Sequence, residues 1–395
     1  MTPSARLQAA IELLDAIIIA ARESGAAADT LIARYFAERR YAGSGDRRAV
    51  RELVYAAIRL AGERPAHGRA AMLAVAKADP ALAALFDGSP HAPAPIGDRE
   101  FAAAPGVAPG WLLDKLRVSG LGPEEYPALI DRAPLDIRVN RSRADMAQVI
   151  AAIPGATPSP HAPDGVRLPP GTQIEQLDLW RDGAIEVQDE GSQIVTLAAG
   201  VAPGMTVIDL CAGAGGKTLA LAAAMHGEGR LIAADIDRNR LSRLAPRAAR
   251  AGVSTIDTRL LDPGREAEKL ADLNAMADVV LIDAPCSGTG TWRRNPEARW
   301  RLSPTRIERL MTAQAGLIAL GATLVKPGGV LLYIVCSLLD DEGADPVTRF
   351  IAANPGWQTL PIDLPAGRAH GPGVRLTPYH DSTDGFFVAR LRSPC

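Results

Sequence analysis

After residue 190 the chain alternates between short, continuously apolar runs and helix-length stretches. That rhythm restricts the fold more than any other feature. The runs cover 206–210, 231–235, 279–283 and 330–335, and a late strand is expected at 386–391. Strands that are apolar on both faces need cover on both sides. Helices between them therefore imply a mostly parallel, doubly wound sheet. In such sheets ligands gather at the carboxyl ends of the strands.

The first strand runs into Cys211-Ala212-Gly213-Ala214-Gly215-Gly216-Lys217-Thr218 and then an alanine-rich helix. Glycines at a strand-to-helix turn allow tight bending and close approach of backbone to a ligand. A phosphate loop needs glycine where Cys211 stands, and the dinucleotide pattern fails because Thr218 takes its third glycine position. S-adenosylmethionine remains, with Asp235 (or Asp237) ending the second strand to hold the ribose hydroxyls.

Two further strand ends carry cysteine: Asp283-Ala-Pro-Cys286-Ser-Gly-Thr-Gly and Tyr333-Ile-Val-Cys336-Ser-Leu. Carbon 5 of a pyrimidine does not take a methyl group unaided. A thiolate added to carbon 6 makes an enamine that does, and a base must then remove the carbon-5 proton so that the thiol leaves. One thiol as nucleophile and a second assisting release account for both positions. Asp283 is placed to hydrogen-bond the polar edge of the ring. Cys395 is terminal and expected to be inert.

Length and composition fit this frame. The 395 residues are enough for two or three domains, with 47% hydrophobic and 22% charged content. The apolar run 13–21 contains Asp15 and is too short to span a bilayer, and no signal-peptide pattern is read at the start. Four cysteines without a C-x-x-C pair indicate neither disulfides nor a metal site, and a reducing cytoplasm is expected. Net charge is −2, yet arginines cluster at 39–51 and again at 293–309, the second group interleaved with Trp292 and Trp300. Arginine beside aromatic rings suits phosphate contact and base stacking, so this second cluster is expected to meet RNA.

Ahead of the sheet, residues 1–85 read as helices. Thr2 caps the first, whose stripe is Leu7, Ile11, Leu14 and Ile18; a second covers 31–39; Asp46 caps a third with Val50, Leu53, Val54, Ala57 and Ile58 inward. Residues 86–125 form a linker and helical connector, proline-rich at 87–97. A small α+β unit follows at 126–190, with strands at 134–140 and 184–188, a helix at 144–153 and a proline-laden loop at 154–170. The methyltransferase domain is placed at 191–395.

Together these motifs resemble the Sun/nucleolar-protein family of RNA cytosine-5 methyltransferases, over roughly residues 130–395. Pro134-Leu-Asp-Ile-Arg-Val-Asn and Val187-Gln-Asp-Glu-Gly-Ser-Gln are similar to signatures ahead of the family's catalytic domain. The opening helices resemble a shortened NusB-like RNA-binding module, as in the bacterial RsmB-like branch acting on small-subunit ribosomal RNA. The resemblance implies an α/β Rossmann-like class I methyltransferase domain, preceded by the small α+β unit and the NusB-like helices. It also implies an RNA partner, ribosomal first of all, and a monomer. By resemblance Cys336 is the nucleophile and Cys286 promotes product release. The donor would be held by Cys211, Ala212, Gly213, Ala214, Gly215, Gly216, Lys217, Asp235, Asp283 and Asp262, with Arg240 a weaker match. Ala214 stands where the family usually has proline, and Val335 where it usually has threonine.

Overall fold

The computed structural model describes residues 1–395 except Ser24. Its contacts form two compact units: Met1–Arg132 with Thr291–Pro304, and Ala133–Gly290 with Thr305–Cys395. The division thus falls at 132/133, and the first unit borrows a strap from far downstream.

In the first unit helix α1 (Pro3–Glu23) is capped by Thr2, whose Oγ1 accepts from the Ala5 amide at 3.2 Å. The expected stripe of Leu7, Ile11, Leu14 and Ile18 is buried against α2 (Ala28–Glu38), α3 (Ser44–Leu60) and α4 (Gly68–Ala78). Asp15 interrupts that apolar run for a local reason: its Oδ1 accepts the Gly68 amide at 2.6 Å, where α4 begins. A Cβ on Gly68 would lie 2.2 Å from the Ile11 carbonyl, so only glycine lets the two helices approach so closely. Asp46 is not the cap residue expected. It occupies the third position of α3 and reaches back to the Gly43 amide at 3.1 Å, while also binding Arg6 at 2.8 Å. The proline-rich stretch is tied down by Arg69, which donates to the carbonyls of Ala94 and Pro95 and pairs with Glu100.

The strap Thr291–Pro304 overturns the expectation for part of the second arginine cluster; Arg306 and Arg309 lie beyond it and are exposed. Trp292, Arg299 and Trp300 are buried, not presented to a nucleic acid. The Arg299 Nη2 donates to the carbonyls of Ile58 (2.6 Å) and Ala61 (2.9 Å), and Trp300 Nε1 donates to Ala61 at 3.2 Å. Arg301 donates to the carbonyls of Gly25 (2.8 Å) and Ala26 (2.6 Å). A helix C-terminus leaves carbonyls without partners and carries partial negative charge, so a guanidinium there both pairs and neutralises. Spacing in the sequence cannot distinguish such a plug from a phosphate clamp.

The second unit opens with a four-stranded antiparallel sheet ordered β2-β3-β1-β4: β1 (Leu135–Val139), β2 (Thr157–Pro158), β3 (Gly165–Leu168) and β4 (Ile185–Val187). The stretch expected as a loop at 154–170 therefore contributes two strands. Pro158 sits in the edge strand β2, opposite Val166 of β3, where an edge tolerates proline.

The main sheet has nine strands along the path β11-β12-β13-β9-β8-β5-β6-β7, with β10 on β13. Five strands run parallel: β5 (Thr206–Asp209), β6 (Arg230–Asp235), β7 (Ile256–Leu260), β8 (Ala277–Asp283) and β9 (Val325–Val335). β13 (Phe386–Arg392) joins β9 antiparallel, followed outward by β12 (Gly373–Leu376) and β11 (Arg368–His370); β10 spans Gln358–Leu360. Strand order reverses between β5 and β8, which opens a crevice at their carboxyl ends. No helix among the described residues is long and apolar enough to cross a membrane.

Candidate active site

At the end of β5, Asp209 is buried and accepts the Thr218 hydroxyl at 2.7 Å. Burial raises its pKa to about 7, although the Thr218 bond opposes the rise. The chain then turns through Gly213 (φ +55°) and Gly215 (φ +86°), left-handed positions that favour glycine. The Gly213 amide donates to Asp235 Oδ2 at 2.7 Å, which ties the turn to the end of β6. Asp237 instead caps the next helix through the amides of Asn239 and Arg240. Of the two acids considered for the ribose, Asp235 faces the turn and Asp237 is committed to capping.

Two arginines brace the turn. A Cβ on Gly213 would lie 2.5 Å from the Arg240 guanidinium, and Arg247 Nη1 donates to the Ala214 carbonyl at 2.7 Å. The second contact holds the turn without the proline usual at that place. Ala212 is buried, and burial, with the carboxylates of Asp209, Asp283 and Asp235, pushes the Cys211 thiol well up. Gly216 opens the helix Gly216–Ala224 with open space over its Cα. Asp262 stands apart: it follows β7, is exposed, and lies 3.4 Å from Lys269 Nζ.

The thiols meet. Cys286 Sγ lies 3.4 Å from Cys336 Sγ, beyond the ends of β8 and β9, which pair Asp283 with Ile334. Next to them Lys217 Nζ donates to Asp283 Oδ2 at 2.8 Å and lies 5.3 Å from the Phe386 ring centroid. Burial works against the ammonium, but the adjacent carboxylate outweighs it and holds Lys217 above the usual lysine range. The Cys286 thiol is pushed well up, first by its hydrogen bond to Cys336, then by burial and by the charges of Cys336 and Glu342. Either thiol can donate to the other across this contact.

Four polar side chains around the thiols escaped the sequence reading. Glu342, Ser287, Ser337 and Gln314 are buried and hydrogen-bonded to one another. A signal was present: the dipeptide Cys-Ser occurs at both cysteines, and an acidic run follows the second. Among the described residues no cluster suited to a metal ion is found.

Residues 197–392 match the family model described as 16S rRNA methyltransferase RsmB/F. A relative in Sodalis glossinidius, ribosomal RNA small subunit methyltransferase B, is 30% identical over 76% of this chain and 69% of its own length. The chain belongs to the RsmB/F methyltransferase family. A probable ribosomal RNA small subunit methyltransferase B of Synechocystis is 33% identical over 72% of this chain and 66% of its own. The chain spans 65–66% of the first curated relatives it matches. The crystal structure of PH0851 shares the fold, at 24% identity and a TM-score of 0.76, over 99% of each chain.

With membership of a methyltransferase family comes S-adenosylmethionine as the cofactor. The crevice fits it. The turn leaves room over Gly216 at the start of a helix, and Asp235 keeps lone pairs for hydroxyl groups.

Proposed function

We propose that this protein transfers a methyl group from S-adenosylmethionine to carbon 5 of a cytosine in RNA, 16S ribosomal RNA first of all, in the cytoplasm. The observation that carries the reading is the 3.4 Å separation of two thiols at adjacent strand ends, beside a Lys217–Asp283 pair whose lysine is buried. Two sulfurs that close can both reach one heterocycle, and a base must leave its stack to enter such a crevice. Cys336 adds to carbon 6, and carbon 5 becomes nucleophilic toward the methyl group that the cofactor supplies. With Cys286 assisting, a base takes the carbon-5 proton, the electron pair left behind reforms the 5,6 double bond, and the carbon–sulfur bond breaks to release the Cys336 thiolate. Asp283 and Lys217 hold the polar edge of the ring as charge develops.

The turn Cys211–Lys217 with Asp235 would hold the donor, Asp283 would border it, and Asp262 would contribute from the end of β7. The four-helix part of the first unit serves as the NusB-like RNA-binding module. Its exposed Arg34, Arg40 and Arg48, with Tyr41 74% exposed, offer charge and a stacking ring. A monomer suffices for this scheme.

The test uses two substitutions. Cys336→Ala is expected to abolish methyl transfer, whereas Cys286→Ala retains a protein–RNA adduct on a denaturing gel. An active Cys336→Ala protein, with Cys286→Ala dead and free of adduct, reverses the roles. Bisulfite sequencing of ribosomal and transfer RNA, with and without the gene, identifies the cytosine.

A further inference from the structure

Three other buried carboxylates of the second unit meet cations: Glu186 pairs with Arg247 and Arg250, and Asp136 and Glu190 share Arg167. Glu342 is wholly buried and, among the described residues, forms no ion pair. A buried, unpaired charge is costly unless hydrogen bonds surround it. Oε1 accepts from the Ser287 amide at 2.8 Å and from Gln314 Nε2 at 3.2 Å. Oε2 accepts from the hydroxyls of Ser287 and Ser337, the latter at 2.6 Å.

The donors have a pattern. Ser287 directly follows Cys286, and Ser337 directly follows Cys336. Gln314 also donates to the carbonyl of Pro285 at 2.9 Å, on the other side of Cys286. The Glu342 backbone carbonyl accepts from Tyr333 at 2.7 Å, within the strand that leads to Cys336. One carboxylate therefore joins the residues flanking both thiols, where the chain has left the sheet.

We propose that Glu342 is a positioning residue that sets the separation of Cys286 and Cys336 by binding Ser287 and Ser337 at once. Its effect on turnover rests on the function proposed above; its effect on the thiols does not. Glutamine in its place keeps the volume but turns an acceptor into a donor, so one of the two loops loses its anchor. Displacement of a reacting group by about 1 Å lowers turnover on the order of 100-fold.

The experiment compares wild type with Glu342→Gln and Glu342→Asp in the full chain. It measures kcat and KM for RNA and for S-adenosylmethionine, melting temperature, and the rate at which diamide joins Cys286 to Cys336 as a disulfide. For Glu342→Gln, kcat is expected to fall about 100-fold with both KM values unchanged, and disulfide formation to slow by about tenfold or more. Glu342→Asp, which keeps the carboxyl group, recovers part of both. If Glu342→Gln does not fold, Ser337→Ala removes one donor, leaves the carboxylate and supplies the same readouts. Wild-type rates in both assays overturn the proposal, and so does a fall in kcat with an unchanged disulfide rate. Should wild type methylate no cytosine, the proposed function fails, while the disulfide rates still decide the role of Glu342.

Discussion

Asp209 shows how far burial has been pushed at single residues near the crevice. Its carboxyl is desolvated at the end of β5, and its pKa rises to about 7 from an unfolded value of about 3.9. A raised carboxyl pKa means that the folded state binds the proton more tightly. The associated stability is complete below pH 4 and is lost as pH rises to 7, by up to about 4 kcal/mol. Asp209→Asn keeps an acceptor for Thr218 and removes the titration. Urea unfolding at pH 5 and pH 8 is therefore expected to show a smaller loss for Asp209→Asn than for wild type. An equal loss contradicts the burial argument. At this scale the two cysteines were legible, because strand-to-loop transitions announce themselves in hydrophobicity. Glu342 was not, because its meaning lies in partners as far as 55 positions away.

Elements were legible where one periodicity governs a segment. The stripes of α1 and α3 and the apolar runs of β5 and β6 follow from the sequence almost residue by residue, while β8 and β9 begin two and five residues ahead of their apolar runs. β3 was hidden by the prolines around it, and β7, an edge strand of the parallel stretch, lacks a continuous apolar run. The strap Thr291–Pro304 was misread because arginine and tryptophan serve equally to bind RNA and to finish a helix. Its structural role has measurable consequences. Arg299→Ala leaves the carbonyls of Ile58 and Ala61 without that donor, which should cost about 3 kcal/mol in thermal or urea unfolding. A truncated chain of residues 133–395 exposes Trp292 and Trp300 and is expected to aggregate; substituting both with serine should restore solubility. A soluble, monomeric truncated chain with both tryptophans intact contradicts this account of the strap.

At the scale of the whole chain, the order of strands could not be read from the sequence, yet it places the chemistry. Reversal between β5 and β8 brings the turn after β5, Asp235 after β6 and both thiols to one end of one sheet. The C-terminal strands β10 to β12 add to its far edge and escaped detection because they are short and half polar. Everything functional in this account depends on two sulfurs sharing one base with Cys336 as the attacker. The direct test is tandem mass spectrometry of the adduct formed by Cys286→Ala with RNA and S-adenosylmethionine. The account predicts a cytidine nucleotide, methylated at carbon 5, linked to the peptide containing Cys336. A nucleotide on any other residue, or no adduct from an RNA that wild type methylates, contradicts it.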